Sequence, residues 1–193
     1  MRTGASFGWK HAVALLAIAA VASVAFASVF VLYGGSVTAY FQRPPVVWGA
    51  GDNSNATDLG GQTITVLVGP NSTQLQVTVH PTYEYTYYRN ITIIKNNDAA
   101  NGYYIAIRVT SPANVTRIAG ASVKLILYNT TSTEVVDLTT SGVTPWYYLP
   151  AGSHVSVDVQ YYLPSGVALP KSVVFQIQLI YSPSNTESPP ATV

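Results

Sequence analysis

Residues His154–Leu163 read HVSVDVQYYL. Val155, Val157 and Val159 alternate with Ser156, Asp158 and Gln160. A period of two places one set on each face of an extended strand, whereas a helix would need apolar residues three and four apart. The expected arrangement is a half-buried strand, valines inward and Asp158 on the outer face.

The same signature recurs in both directions from this stretch. Residues 172–181, SVVFQIQLIY, set Val173, Phe175, Ile177 and Leu179 against Gln176 and Gln178. Residues 103–110, YYIAIRVT, set Tyr103, Ile105, Ile107 and Val109 against Ala106 and Arg108. Residues 122–129, SVKLILYN, set Val123, Leu125 and Leu127 against Lys124. Residues 62–68 and 74–80 alternate in the same way, through Ile64, Val66 and Val68 and through Leu75, Val77 and Val79. Residues 83–96, YEYTYYRNITIIKN, are long enough for two strands or one bent strand. Turn clusters such as GPNST at 69–73 and KNNDAANG at 95–102 punctuate these runs. Short alternating strands at regular spacing predict an all-β antiparallel sandwich, jelly-roll or immunoglobulin-like, of about eight strands.

Composition narrows the chemistry. Only 9% of the 193 residues are charged and the net charge is +1, against roughly a quarter charged in ordinary soluble domains. No charge field invites a nucleic acid or an acidic substrate. The chain has no cysteine, which excludes disulfides, thiolate metal sites and cysteine nucleophiles. Fourteen tyrosines suit sheet faces, cross-strand pairs and protein contacts.

The amino end differs. Arg2, Lys10 and His11 precede an uncharged apolar run from residue 12 to 33, the order of an export signal, and long enough to cross a bilayer. Cleavage after Ala27 fits the small-x-small rule, cleavage near Ala39 is a second option, and retention as an anchor a third. The expected organisation is a signal segment at 1–27 (extending to about 39 with the later cut), a strand and linker at 28–47, a β-sandwich body at 48–182, and a frayed Pro/Ser-rich tail at 183–193. Five Asn-x-Thr acceptor sequences, at Asn55, Asn71, Asn90, Asn114 and Asn129, are candidate N-glycosylation sites in an exported chain, and as a residue type they also suit turns and strand edges.

Residue patterns offer no reaction. The acids at 52, 58, 84, 98, 134, 137, 158 and 187 form no recognisable pair. His80 and His154 stand alone, without metal-ligand spacing. Residues 51–61, GDNSNATDLGG, loosely resemble a calcium loop but lack its regular acids. No phosphate-loop, dinucleotide or nucleophile-elbow motif is present. The expectation is a chain with no enzymatic activity, no cofactor and no catalytic or metal residues.

Residues 34–41, GGSVTAYF, followed by NATDLGG and by the element YRNITIIKNNDAANGYYIAIRVTS, resemble the TasA/camelysin family of exported fibre proteins. The tyrosine-rich, charge-poor, acceptor-bearing character is nearest the archaeal bundling-pilus relatives. QRPP at 42–45 departs from the family's acidic continuation, charge is lower and tyrosine higher. The resemblance implies a jelly-roll subunit that polymerises head to tail with further copies of itself, its amino-terminal strand filling the neighbour's sheet. On that reading Val37, Ala39 and Phe41 form the apolar face of the donor strand. Val29, Val31 and Tyr33 extend it if the cut falls after Ala27, and Pro44 and Pro45 end it because proline cannot donate to a ladder. The competing reading makes residues 28–41 the end of a helical anchor on a cell-surface module binding carbohydrate or an envelope protein.

Overall fold

The computed structural model describes residues 8–25, 33–115, 118–130 and 132–190. The chain divides into two units, Met1–Phe41 and Gln42–Val193.

In the first unit, α1 (Trp9–Ala25) is built almost wholly of Ala, Val, Leu and Ile. Among the described residues, no helix is long and apolar enough to cross a membrane. Residues 33–41 carry no regular secondary structure.

The second unit is mostly antiparallel β-sheet. Among the described residues its strands are β1 (Val46–Ala50), β2 (Thr65–Val68), β3 (Leu75–Thr78), β4 (Glu84–Asn96), β5 (Tyr103–Ser111), β6 (Ser122–Tyr128), β7 (Thr133–Asp137), β8 (Gly142–Val143), β9 (Tyr147–Leu149), β10 (His154–Leu163) and β11 (Gln176–Ser182). One sheet runs β1-β4-β10-β6-β7; a second runs β11-β5-β8, with β9 also on β5; β2 and β3 form a hairpin. The chain passes between the two larger sheets at β4–β5, β5–β6, β7–β8, β9–β10 and β10–β11.

One apolar core joins them. Val155, Val157 and Val159 of β10 are buried with Ile94 of β4, Ile105 and Ile107 of β5, and Val123 and Leu125 of β6. All but Ile94 are residues that the alternation turned inward. Each such side chain contributes about 1.5–3 kcal/mol on burial, and the total supplies the stability that disulfides cannot.

One open alternative is settled and three readings change. Of the two alternatives for residues 83–96, one bent strand is observed: β4 stays paired with β10 but buckles, the register stepping from Val157↔Thr92 to Val159↔Tyr88. Arg89, Asn90 and Ile91 therefore face the single residue Asp158, a bulge of two extra residues. Asp158, expected in solvent on the outer face, is 1% exposed because the bulge closes over it. The tail is tied down as far as Pro190: the Trp146 indole N–H donates to the Glu187 carbonyl at 2.7 Å, and an Arg108 guanidinium N–H donates to the Pro190 carbonyl. The body also begins earlier than the expected boundary at 48, since β1 starts at Val46.

Candidate functional site

β1 and β11 are the outer strands of their sheets. An edge strand leaves one row of backbone N–H and C=O groups without a ladder partner. Between these edges and the β2–β3 hairpin lies an open cleft of about 920 Å³. Val46 and Trp48 line it from β1, Leu67 and Leu75 from the hairpin, and Ile177 and Leu179 from β11. The period-two face of β11 that turns Ile177 and Leu179 to the core thus reaches the cleft as well. Volume and lining suit an extended segment with apolar side chains at alternate positions.

The candidate donor residues alternate in sequence across 37–41, in a stretch without regular secondary structure. Val37 is 97% exposed and Phe41 98% exposed. Tyr33 and Ala39 are exposed too, with Tyr40 on the opposite alternation. Val29 and Val31 lie outside the described residues. Linker residue Pro45 is fixed to the body, its carbonyl accepting from Asn97 N–H at 2.8 Å.

Arg108 lies at the cleft, beside Pro190. It is only 7% exposed, one guanidinium N–H donates to Gln178 Oε1 at 2.9 Å, and its Nε is buried with no partner among the described residues. A lone cation at an outward position of an alternating strand was legible, but the returning tail that buries it carries no periodicity.

The second node is Asp158. One carboxylate oxygen accepts from the Asn90 N–H at 2.6 Å, and the other accepts from the Tyr87 hydroxyl. Burial first, then this hydrogen bond and the adjacent negative charge, push the Tyr87 phenol up to about 12. It therefore remains a donor at any ordinary pH. Asn90 sits at φ +44 and its Nδ2 donates to Asp52 at 2.8 Å, tying the bulge to the loop after β1.

Asp58 is the third node. Burial pushes its carboxyl up, but the Leu59 N–H and the His80 ring and backbone N–H donors outweigh that and hold it below the usual carboxylate range. The His80 Nδ1–H and N–H donate to it at 2.9 and 2.8 Å. Asp52 and Asp58, the acids of the calcium-like loop, thus have different partners. Among the described residues no cluster of three or more His, Asp or Glu side chains is placed to hold a metal ion. The Asp58–His80 pair joins the loop between β1 and β2 to the chain after β3.

Tyrosines decorate the outer faces. Tyr85 and Tyr162 pack with ring planes tilted by 36° and centroids 4.6 Å apart, and Tyr104 and Tyr148 with planes tilted by 51° and centroids 5.1 Å apart. Tyr85 is 69% exposed.

The acceptor asparagines separate. Asn55, Asn71 and Asn114 are exposed. Asn90 is half-buried in the bulge, and Asn129 is half-buried, its Oδ1 accepting from the Ser132 N–H at 2.9 Å.

Comparison with protein-family models and with curated proteins finds no match for this chain.

Proposed function

We propose that this chain is the structural subunit of an extracellular filament, exported by its apolar amino end and serving bundling, biofilm or cell adhesion. The body is read as a TasA-like jelly roll, and polymerisation as donor-strand complementation: residues 33–41 of one copy enter the cleft of the next. One observation carries this reading. The chain holds a segment without regular structure whose alternate apolar residues are bare, Val37 and Phe41 above all, and a body with an apolar cleft flanked by two strand edges.

The physics is β-augmentation. Ladder hydrogen bonds give affinity, and alternate side chains in pockets give register. Burying one valine and one phenylalanine contributes about 1.5–3 kcal/mol each. A head-to-tail contact that does not close yields a fibre, and it covers edges that would otherwise pair unselectively. The subunit needs no cofactor, and its principal partner is another copy of itself.

Electron microscopy of exported protein tests this. The wild-type chain forms fibres; Phe41→Asp gives folded monomers with an unchanged thermal midpoint, since Phe41 is 98% exposed. Undiminished fibres from Phe41→Asp would remove the segment from the mechanism. The exposed Tyr85–Tyr162 pair favours a second reading, a membrane-anchored module that binds carbohydrate or an envelope protein through its tyrosine face. A monodisperse monomer retaining residues 12–33 in detergent would select that reading instead.

A further inference from the structure

We propose that Asn55 and Asn71 carry N-linked glycans and that Asn90, with the same acceptor code, does not. The proposal rests on the export reading, because N-glycans are added on the far side of a membrane from the cytoplasm.

Asn55 and Asn71 each occupy a left-handed turn, at φ +63 and +58, a conformation that asparagine tolerates better than most residues. Both are exposed, and so are the threonines two positions on, Thr57 and Thr73. No hydrogen bond among the described residues engages either carboxamide. Transfer forms a bond between Asn Nδ2 and the anomeric carbon of a lipid-phosphate-linked oligosaccharide. The bond from that carbon to the phosphate oxygen breaks, its electron pair leaves with the lipid phosphate, and Nδ2 loses one proton. The acceptor nitrogen must be reachable and the product must have room.

Asn90 offers neither. Its Nδ2 is held by the Asp52 carboxylate at 2.8 Å, its Oδ1 is buried, and its N–H is held by Asp158. Its sequon hydroxyl belongs to Thr92, which is 2% exposed and donates to the Gly49 carbonyl at 2.6 Å. The loop after β1 closes the space: a Cβ on Gly51 would stand 2.1 Å from the Asn90 carbonyl oxygen. The same Cβ would stand 2.8 Å from Asn90 Oδ1, so this loop crowds the carboxamide as well. Glycans also answer a need of this surface, since a chain with 9% charged residues has little charge repulsion to keep its faces apart.

The test is glycopeptide mass spectrometry on the full chain from an exporting host that glycosylates a co-expressed reporter. Expected are occupied Asn55 and Asn71 peptides, a bare Asn90 peptide, and loss of one glycan mass in each of Asn55→Gln and Asn71→Gln. A glycan on Asn90 of the folded protein overturns the assignment, as does an exported chain bare at Asn55 or Asn71. A chain retained inside the cell overturns the export reading and this assignment with it.

Discussion

Asp158→Ala isolates the contribution of the β4 bulge. Asp158 is 1% exposed, and its carboxylate accepts from the Asn90 N–H and the Tyr87 hydroxyl. Hydrogen bonds to a charged group contribute about 1.5–3 kcal/mol each, and a buried donor left bare costs a similar amount. Tyr87 is half-exposed, so water can serve its hydroxyl and only the Asn90 N–H is stranded in full. Asp158→Ala should therefore destabilise the body by about 3 kcal/mol, a fall of about 9 °C in thermal midpoint for a domain of this size. Asp158→Asn keeps an acceptor for the Asn90 N–H and should lose less than half as much. Tyr87→Phe should lose about 1 kcal/mol and couple to Asp158→Ala in a double-mutant cycle. Urea unfolding followed by tryptophan fluorescence reads all three. The reasoning fails if Asp158→Ala is as stable as Asp158→Asn, since the bulge would then need no buried acceptor.

Three further perturbations follow from the structure. The Asp98 carboxyl is held down to about 2, first by the Asn101 side-chain amide, then by the Ala100 N–H, and Asp58 is also depressed. Folded values below the unfolded one mean that this stability is present above about pH 4 and lost as pH falls toward 2; urea midpoints should decline across that window and less steeply in Asp98→Asn, and a flat profile would contradict the assignment. Gly51→Ala drives a methyl into the Asn90 carbonyl and should cost about 1–3 kcal/mol. Gly60→Ala, at φ +63 in open space, should cost about 1 kcal/mol from backbone strain alone, and calorimetry that ranks the two in reverse would refute the packing argument.

Strands long enough to show a period were legible in the sequence. β5, β6 and β10 fall where Ile105 and Ile107, Val123 and Leu125, and Val155 and Val157 alternate, and those residues are the core. β7, β8 and β9 were not, since strands of five, two and three residues give the alternation too little length. β1 was hidden for another reason: VVWGA is buried at three consecutive residues, so it shows no alternation, and its neighbour Pro45 marked it as linker. Asp158 was misassigned because periodicity specifies which face a residue takes and carries nothing about what covers that face. The bulge that covers it depends on pairing with a strand 68 residues away in sequence. The apolar alternation of Val37, Ala39 and Phe41 was visible from the start, whereas the cleft assembles from β1, the hairpin and β11, which no local window joins.

The central claim concerns the backbone of residues 33–41, which in the single chain belongs to no strand. Amide hydrogen exchange on assembled fibres and on the Phe41→Asp monomer measures it directly. A strand added to the neighbour's sheet predicts strong protection of amides across 36–42 in the fibre and fast exchange of the same amides in the monomer. Fibres whose 36–42 amides exchange as fast as the monomer's would contradict donor-strand assembly.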